Sequence, residues 1–440
     1  MSVADRLRRM LAEEPVSSPD PDRAHAVQAL LWSGPRALYH WAQPVVIHWR
    51  IAAPDEPAAW APDGPRPRPT AALRAAARAA AAAWEAVAEV DFVEVRRGPA
   101  EVILGVAEFP DWRRDIAYTV VDPDGADRIR GAEVWLDAGL LDRLAPGELG
   151  RLALVHEFGH VLGLDHPFTA AGVFARGLDD RRHTVMSYTP ADAAELGGRP
   201  LEPSGPMLYD IAAVQTLYGP ATGSTGDDVY RLSPRRPELR AIWDAGGHDR
   251  IDAGNQRLPV EIDLREGAWS SIGPAAPGAG TPARANLVIA FGSAIEDARG
   301  GRGDDRIHGN HLGNRLVGGR GDDLLVGAGG DDRLRGGSGD DVLAGGPGDD
   351  RLVGGRGLDL AVVEGDFADF ALTGRGRRLW LEDLDPADGD LGRDRLVGIE
   401  RVLFDDGVLV LDGGTPRFHP LADPAIERLL APFDPAGFVG

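Results

Sequence analysis

The 440-residue sequence predicts an α+β domain, then an all-β domain built from short repeated turns, then a β-rich tail. Up to about residue 220, apolar residues recur at helix and strand spacings. Glycine and aspartate dominate the next segment, and a nine-residue period runs through residues 300–362. Sequence typical of ordinary β-strands then returns. We expect a lead-in or short propeptide and three further units, with the boundaries 1–40, 41–225, 226–365 and 366–440.

The composition excludes several classes of protein. The formal net charge of −22 argues against binding to nucleic acid, whose phosphates would be repelled, and against an anionic membrane surface. The sequence contains no cysteine, which excludes disulfides and zinc–thiolate sites. It contains no run of about 18 apolar residues, so we expect no membrane insertion. The N-terminus lacks the apolar core of a Sec signal peptide, so an exported form would need another route.

Helices and strands can be placed in order along the first half. Thr70 can cap an alanine-rich helix that neither glycine nor proline interrupts. Two further helices end at glycine, and short alternating segments are typical of strands. The expected helices are 70–90, 146–163 and 209–219, and the expected strands are 44–52, 91–95, 101–108 and 132–139.

Three histidines are concentrated in the segment VHEFGHVLGLDH, residues 155–166. His156 and His160 are four residues apart, so a helix places both imidazoles on one face. Gly163 allows the left-handed turn that ends this helix, and His166 can return from the following loop as a third ligand. Three neutral nitrogens and one open position are typical of a catalytic zinc site.

Glu157 lies beside the first histidine, within reach of a water on the metal. Because zinc lowers the pKa of such a water towards roughly 7, Glu157 can take its proton and later pass it to a leaving amine. This chemistry is the hydrolysis of an amide bond. The alternative is a chance arrangement of structural histidines, which the extended pattern HExxHxxGxxH disfavours.

Seven nine-residue turns follow the pattern GGxGxDxUx of the RTX calcium repeat, in which one apolar residue per strand points inward. The aspartates at the sixth position stack between turns and offer an oxygen-only cage that suits Ca²⁺. A flexible glycine-rich linker is the alternative, but a linker would not keep its register over seven turns. The inward apolar residues are expected to be Ile307, Leu316, Leu325, Leu334, Leu343, Leu352 and Leu360. The expected calcium ligands are Asp305, Asp323, Asp332, Asp341, Asp350 and Asp359.

Folding of this repeat array should be coupled to calcium. Without the ion, the stacked carboxylates repel one another and the apolar layer is too thin to hold the segment together. In the second turn Asn314 stands at the sixth position, so we expect this turn to bind calcium weakly or not at all.

These features together resemble the serralysin family of secreted bacterial metalloproteases, which carries the metzincin histidine pattern. The resemblance covers roughly residues 40–362 and is most specific at 156–166, 184–188, 209–219 and 300–362. It implies a zincin-like catalytic domain followed by a parallel β-roll of RTX repeats. It also implies that His156, His160 and His166 hold one Zn²⁺ and that Glu157 is the general base.

The resemblance assigns roles to further residues. Tyr188 would be an additional zinc ligand that swings away to stabilise the oxyanion, whereas a lone tyrosine would more often be a half-buried wall residue. Met186 would form the methionine turn beneath the metal, and it is a packing residue under either interpretation. The segment WDAGG (243–247) and Asp249 resemble an extra calcium-binding segment ahead of the repeats.

The function implied is that of a secreted zinc endopeptidase, a monomer with one zinc ion and several calcium ions. Its expected partners are protein or peptide substrates, the type I secretion machinery and a proteinaceous protease inhibitor. An extended peptide should add to an edge strand above the site, for which 132–139 is the candidate. The alternative from another class is a calcium-dependent surface or adhesion protein with an inactive protease domain, and the intact catalytic positions argue against it.

Overall fold

The computed structural model describes residues 2–12, 23–31, 40–110, 116–124, 128–168, 177–191, 201–384, 391–411, 415–423 and 425–434. Within these ranges, the first half combines one sheet with helices, and the second half consists almost wholly of short strands. The predicted order, a helix-containing domain followed by a β-rich region with RTX repeats, is confirmed.

The first half contains a five-stranded sheet of β1 (Val45–Ile51), β2 (Val90–Glu94), β3 (Val102–Ala107), β4 (Ala117–Pro123) and β5 (Ile129–Asp137). The strand order is β2-β1-β3-β5-β4, and only β4 runs antiparallel to its neighbour. Strand β4 was not predicted, because its residues lack a regular burial alternation and are all partly exposed up to Asp122. The expectation that 132–139 forms an edge strand is wrong, since β5 lies between β3 and β4 and the edge is β4.

The described helices are α1 (Val3–Ala12), α2 (Arg23–Leu30), α3 (Ala71–Glu85), α4 (Leu149–Val161), α5 (Leu208–Tyr218) and α6 (Ile426–Leu430). As expected, α3 begins at the N-cap Thr70, whose hydroxyl accepts a hydrogen bond from the Leu73 backbone N–H at 3.0 Å. Its small side chains let α4 pack closely, and Trp84 Nε1 donates to the Val155 carbonyl oxygen at 3.0 Å. Helix α4 is therefore buried along nearly its whole length.

The lead-in residues pack at two separate places. Helix α2 packs against α5, and the carbonyl oxygen of Leu30 accepts a hydrogen bond from the Asp165 backbone N–H at 2.8 Å. This contact ties α2 to the loop that carries His166. Helix α1 packs instead against α6, where Arg6 Nη2 lies 2.7 Å from Asp434 Oδ2.

The second half contains two long sheets. Its strands are β6 (Val229–Tyr230), β7 (Arg240–Ile242), β8 (Arg250–Asp252), β9 (Glu261–Asp263), β10 (Trp269–Ser270), β11 (Leu287–Ile289), β12 (Asp297–Arg299), β13 (Arg306–His308), β14 (Arg315–Arg320), β15 (Leu324–Val326), β16 (Arg333–Ser338), β17 (Val342–Ala344), β18 (Arg351–Arg356), β19 (Leu360–Val362), β20 (Phe370–Arg375), β21 (Arg378–Asp383), β22 (Arg393–Val397), β23 (Arg401–Leu403), β24 (Gly407–Val410) and β25 (Arg417–Pro420). Sheet A has the order β20-β21-β22-β18-β16-β14-β12-β8-β6, and sheet B has the order β25-β24-β23-β19-β17-β15-β13-β9. A third, small sheet has the order β10-β11-β7.

Successive strands of the repeat array alternate between sheets A and B. Neighbours within one sheet are therefore 18 residues apart, as in the pairs Leu316 with Leu334 and Leu325 with Leu343. All described pairings between repeat strands of one sheet are parallel. Each turn of nine residues thus adds one strand, to sheet A and to sheet B alternately. This alternation explains the period of nine in the sequence.

The inner faces of the two sheets share one thin core. Six of the predicted inward residues belong to it, but the prediction is wrong for Leu360. In the seventh turn Ala361 occupies the core, because it stands at the eighth position of the turn like the other six. Leu360 stands at the seventh position, and alternation along the strand directs it to the outer face of sheet B.

The outer face of sheet B is apolar and covered. Leu324, Val342 and Leu360 lie on it and form one buried cluster with residues of the two terminal helices. Among these, Leu7 belongs to α1 and Leu430 to α6, and both are fully buried. The N-terminal and C-terminal helices therefore close the same face of the array.

The parallel pairing continues beyond the repeats. After the antiparallel hairpin β20–β21, strand β22 pairs in parallel with β18, and β23 pairs in parallel with β19. The sequence carries a signal for this addition, since GRDRLVG at 392–398 repeats GDDRLVG at 348–354 with one change. The boundary expected at residue 365 and the other domain boundaries stay predictions.

Candidate metal centres

The three predicted histidines meet at the C-terminal end of α4. The Nε2 atom of His166 lies 3.2 Å from Nε2 of His156 and 3.1 Å from Nε2 of His160. Gly163, with a φ of 91°, turns the chain after the helix, and its N–H donates to the His160 carbonyl oxygen at 2.9 Å. The turn therefore returns His166 to the face that carries the other two rings.

Hydrogen bonds of the Nδ1 atoms fix the protonation of two of these rings. Nδ1 of His156 lies 2.8 Å from the Val185 carbonyl oxygen, and Nδ1 of His160 lies 2.8 Å from the Leu164 carbonyl oxygen. Because a carbonyl oxygen only accepts, each Nδ1 carries the proton and each Nε2 presents a lone pair. Converging lone pairs repel one another unless a cation lies among them. This donor set fits a metal ion that prefers imidazole nitrogen, such as zinc.

Burial keeps this cluster uncharged. Burial is the largest cause that lowers the pKa of His156 well below its usual value and that of His160 to about 4. Burial also lowers the pKa of His166, although the neighbouring Asp165 opposes that change. The three rings are therefore neutral at pH 7, which is the state that binds a metal.

Glu157 is buried beside the cluster, with 4% of its surface exposed. Its Oε2 atom accepts a hydrogen bond from the Thr119 hydroxyl at 2.7 Å. The same hydroxyl oxygen lies 3.2 Å from the backbone carbonyl oxygen of Glu157. Thr119 belongs to β4, so the edge strand fixes the orientation of a carboxylate on α4. Thr119 was not predicted from the sequence, because β4 itself was not predicted.

Met186 lies beneath α4 and is fully buried. A Cβ atom placed on Gly159 would come within 2.6 Å of the Met186 sulfur and within 3.1 Å of Cζ2 of Trp84. The glycine inside the histidine motif therefore leaves the space that the methionine side chain and the tryptophan ring occupy.

Asp210 of α5 holds the segment that contains Met186. Its carboxylate accepts hydrogen bonds from the Thr184 hydroxyl at 2.5 Å and from the backbone N–H groups of Val185 and Met207, both at 2.8 Å. Burial is the largest cause that raises the pKa of Asp210 to about 6. Since the Val185 carbonyl oxygen also accepts a hydrogen bond from His156, Asp210 supports the histidine cluster through one stretch of backbone. Asp210 was not predicted from the sequence as a residue of the site.

Tyr188 places its ring next to the histidines. The ring centroids of Tyr188 and His156 are 5.8 Å apart, and those of Tyr188 and His166 are 4.6 Å apart. Phe168 stacks on His166 with 5.1 Å between centroids and 5° between planes. Tyr188 is 58% exposed and Phe168 is 44% exposed, so the two rings form an open aromatic wall. Phe168 was not predicted as part of the site, although it follows the third histidine by two residues.

A cavity of about 210 Å³ opens beside Glu157. Its apolar lining includes Ile116, Leu149 and Leu152, and Arg181 adds a polar group to its wall. The charge of Arg181 is balanced by Glu202, whose Oε1 atom lies 2.8 Å from Nη1. A small recess with both apolar and polar walls, beside a carboxylate and three converging imidazoles, can take one side chain of a ligand.

The predicted aspartates of the array are buried and form ladders between turns. In one ladder the backbone N–H of Asp305 donates to Oδ1 of Asp323 at 2.9 Å, and that of Asp323 donates to Oδ1 of Asp341 at 3.0 Å. The second carboxylate oxygen, Oδ2, is buried and has no hydrogen-bond partner in five described cases. These are Asp323, Asp332, Asp341, Asp350 and Asp359.

These unpaired oxygens fit a hard cation. A buried carboxylate oxygen without a partner is costly, so a compensating ligand is expected. A Cβ atom on Gly318 would lie 2.2 Å from Oδ2 of Asp323, and one on Gly345 would lie 1.9 Å from Oδ2 of Asp350. Glycine thus leaves open the space in front of each oxygen, and carboxylate with backbone carbonyl oxygens is the ligand set that Ca²⁺ prefers.

Two turns of the array differ from the rest. Asp305 has no unpaired oxygen, because its Oδ2 accepts from the Gly301 backbone N–H at 2.5 Å. Asn314 accepts from the Asn310 N–H at 2.8 Å and donates from Nδ2 to the Glu296 carbonyl oxygen at 2.9 Å. An amide satisfied in this way offers no buried negative oxygen to a cation.

Two acidic residues that were not predicted extend the ladders at the other end. The backbone N–H of Asp350 donates to Oδ1 of Asp394 at 3.0 Å, and that of Asp359 donates to Oε2 of Glu400 at 3.1 Å. Both belong to the turns that β22 and β23 add.

Burial raises the pKa of every ladder carboxyl that was predicted as a calcium ligand, and neighbouring carboxylates add to the effect in all of them. The pKa rises to about 9 for Asp323, about 8 for Asp341, about 7 for Asp305, Asp332 and Asp350, and about 6 for Asp359. Without a cation, Asp323 and Asp341 therefore stay largely protonated at neutral pH, whereas Asp305, Asp332 and Asp350 are partly protonated and Asp359 is largely ionised.

A second acidic cluster lies ahead of the array. Carboxylate oxygens of Asp228, Asp244 and Asp249 lie within 4.8 Å of one another. The Oδ2 atom of Asp249 is buried and has no hydrogen-bond partner, and burial raises the pKa of this residue to about 6. The segment WDAGG (243–247) supplies one member of the cluster.

Comparisons with known proteins find a family of calcium-binding repeats in the second half of the chain and several bacterial metalloproteases that align with up to about half of it. The RTX calcium-binding nonapeptide repeat matches residues 292–311, 312–343 and 326–361. The chain is 32% identical to the serralysin of Proteus mirabilis over 280 residues, which cover 54% of this chain and 54% of that protein. It is 32% identical to the metalloprotease AprA of Pseudomonas entomophila (strain L48) over 274 residues, covering 54% of this chain and 53% of that protein.

A further relative is serralysin A of Dickeya chrysanthemi, 35% identical over 174 residues that cover 36% of this chain and 35% of that protein. The chain thus matches about half the length, or less, of these curated relatives. Among the described helices, none has the length and apolar character needed to cross a membrane.

Proposed function

We propose that this chain, a member of the serralysin family, is a secreted zinc-dependent endopeptidase. The observation that carries the proposal is the convergence of the Nε2 atoms of His156 and His160 on Nε2 of His166, at 3.2 and 3.1 Å, next to the buried carboxylate of Glu157. In this proposal the first half is a zincin-like catalytic domain, and sheets A and B are a parallel β-roll that calcium stabilises.

His156, His160 and His166 would hold the zinc ion through Nε2. When bound, zinc supplies Lewis-acid activation of water and of the peptide carbonyl. The carbonyl acceptors of Val185 and Leu164 keep two of these rings in the tautomer that binds metal.

Glu157 would act as general base and then as general acid. Its carboxylate takes a proton from the attacking water and returns it to the nitrogen of the leaving amine. The Thr119 hydroxyl holds the carboxylate in place for both steps. The Tyr188 phenol, at the open side of the cluster, donates a hydrogen bond to the oxyanion that develops on the peptide carbonyl.

The substrate would be an extended peptide that pairs with β4. This strand is the edge of the sheet, and Thr119 connects it directly to Glu157. A substrate side chain would enter the recess of about 210 Å³ beside that carboxylate. The lining favours an apolar side chain, with Arg181 available to a polar end.

The array would bind several calcium ions through the ladder aspartates, and the cluster of Asp228, Asp244 and Asp249 would bind another. We further propose that the protein is an extracellular monomer. Its partners would be protein substrates, a type I secretion machinery and a proteinaceous inhibitor. The alternative, an adhesion protein with an inactive protease domain, is not favoured, because it would leave the convergence of three histidines beside Glu157 without a role.

The test is hydrolysis of casein by purified protein, with zinc content measured on the same samples. Glu157→Ala should retain zinc and lose activity by a factor of about 10³ or more, because it removes the proton carrier. Glu108→Ala, an exposed glutamate after β3, is the matched control and should keep activity. Equal and low activity of wild type, Glu157→Ala and control across many substrates would favour the adhesion protein.

A further inference from the structure

The outer face of sheet A is open and lined with arginine. A groove of about 1140 Å³ runs across it, and nine of its lining residues are arginines. Among its described lining residues, Asp297 is the one carboxylate. The chain as a whole has 69 acidic and 47 basic residues. This face is therefore positively charged although the chain carries a net negative charge.

The repeat sequence itself directs arginines to this face. From residue 315 on, the seventh position of successive turns reads Arg, Leu, Arg, Val, Arg, Leu. Since alternate turns belong to alternate sheets, this period of 18 sends Arg315, Arg333 and Arg351 to sheet A. It sends the apolar residues to sheet B, where α1 and α6 cover them. The chain contains no lysine, so the choice of arginine over lysine is not by itself evidence for a binding site. The evidence is the periodic placement of the arginines.

The arginines form rows that cross the strands. Arg333 is in direct register with Arg315 on one side and with Arg351 on the other. Neighbouring strands are about 4.7–4.9 Å apart, so this row repeats a positive charge at that interval. A second row lies on the adjoining turns and contains Arg302, Arg320 and Arg356, with Ser338 between the last two.

These six side chains lack partners within the part of the chain that the structure describes. No hydrogen bond or ion pair joins their guanidinium groups to a described carboxylate, and five of the six are exposed while Arg351 is half-buried. Like charges directly opposite one another on neighbouring strands destabilise a sheet. An anionic ligand laid along the row would remove that repulsion.

We propose that the outer face of sheet A binds a linear acidic polysaccharide that carries one carboxylate on each sugar. One pyranose ring advances a linear chain by about the spacing between strands, so a chain that carries its carboxylates on one side can place successive carboxylates opposite successive arginines. Each guanidinium can form two parallel hydrogen bonds with a carboxylate, which lysine could not do. This surface lies apart from the histidine cluster, and the inference is independent of the proposed protease activity.

Other polyanions fit the face less well. An extended acidic peptide carries side chains on one side only at every second residue, about 6.6–6.8 Å apart, which does not match the row. Grooves for single-stranded nucleic acid stack bases on aromatic side chains, and the described lining contains none. The net charge of −22 repels any polyanion at long range, so recognition must come from close contacts and should weaken steeply with added salt.

The test measures fluorescence anisotropy of a labelled oligouronate, too short to gel with calcium, upon titration with the calcium-loaded full chain. The triple variant Arg315→Gln, Arg333→Gln, Arg351→Gln should bind at least about tenfold more weakly than wild type. The matched triple Arg96→Gln, Arg97→Gln, Arg236→Gln removes the same charge from exposed loops elsewhere and should change affinity less than about twofold. Equal losses in the two triples would overturn the proposal.

Further arms separate the ligand classes. A neutral oligosaccharide of the same length should not bind. Binding of single-stranded DNA, oligoglutamate or anionic lipid vesicles as tight as that of the oligouronate would overturn the assignment to a polyuronate.

A conservative single variant tests the proposal even if the triple variant does not fold. Arg333→Lys keeps the charge and loses the paired hydrogen bonds, so it should weaken binding measurably while the calcium-dependent β signal is unchanged. Binding of Arg333→Lys equal to that of wild type would contradict recognition by paired guanidinium contacts. Hydrolysis of a short soluble peptide serves as a control and should be the same in wild type and every arginine variant.

Discussion

At the scale of single residues, the geometry of the candidate active site depends on residues that would not themselves bind a metal ion. Thr119 orients Glu157 through a hydrogen bond of 2.7 Å, and Gly159 leaves room for Met186. The histidines themselves could be predicted because their spacing is imposed by the helix and by one glycine. Thr119 could not be, because it is 38 residues away in sequence and its strand has no burial alternation.

Thr119→Val should lower kcat for peptide hydrolysis with little change in KM. A hydrogen bond to a charged group is worth about 1.5–3 kcal/mol, so the expected loss is about ten- to hundredfold. Thr119→Ser should restore most of the activity, since it returns the hydroxyl. Thr216→Val, which removes an exposed hydroxyl from α5, is the control and should behave as wild type. Full activity of Thr119→Val would show that Glu157 needs no such support.

Gly159→Ala should destabilise the catalytic half. The new methyl group would meet the buried Met186 sulfur at 2.6 Å and the Trp84 ring at 3.1 Å, and overpacking of this kind costs about 1–3 kcal/mol. Urea unfolding followed by tryptophan fluorescence measures the change. Gly223→Ala, where the added Cβ meets nothing within 4 Å, should be neutral. A variant Gly159→Ala as stable as wild type would mean that the methionine side chain is not tightly packed.

At the scale of elements, α5 and the methionine segment act as one unit. The sequence predicted α5 as a helix near the right residues, but its function at the site comes from Asp210, whose three hydrogen bonds are visible only in the fold. Similarly, the period of nine predicted the repeat strands, whereas β22 and β23 were missed because a hairpin separates GRDRLVG from the repeats. Long-range pairing of this kind leaves little trace in a local pattern.

Asp210→Asn should lower stability by about 1–3 kcal/mol and reduce activity without loss of calcium. The amide has a single acceptor oxygen, so it cannot accept from the Thr184 hydroxyl and from both backbone N–H groups of Val185 and Met207, and at least one buried donor is left unsatisfied. Thermal unfolding together with peptide hydrolysis measures the effect. Asp91→Asn, at an exposed position of β2, is the matched control. Unchanged activity of Asp210→Asn would separate the methionine segment from the metal centre.

At the scale of the whole molecule, calcium and protons should compete for the array. The folded-state pKa of the ladder aspartates lies above the ordinary value of 3.8, at about 6 to 9. A carboxyl with a raised folded-state pKa stabilises the fold below its unfolded pKa, and this contribution is lost as the pH rises through the folded value. Without calcium, the array should therefore be more stable at pH 5 than at pH 8. With saturating calcium the order should reverse, because the ion binds the ionised carboxylates.

Circular dichroism melts in chelator and in calcium, across this pH range, measure that reversal. Asp323→Asn with Asp341→Asn removes two titrating groups from one ladder and should flatten the pH dependence in chelator. Asp304→Asn with Asp322→Asn, at exposed positions of the turns that contain Asp305 and Asp323, is the matched control. A calcium-free array that grows more stable from pH 5 to pH 8 would contradict this account.

The central claim is that three imidazoles bind one zinc ion, and X-ray absorption at the zinc K-edge tests it most directly. The account predicts one zinc per chain, with three nitrogen ligands at about 2.0–2.1 Å in wild type and an altered shell in His160→Ala. A zinc shell made wholly of oxygen, or the same spectrum from wild type and His160→Ala, would contradict the account.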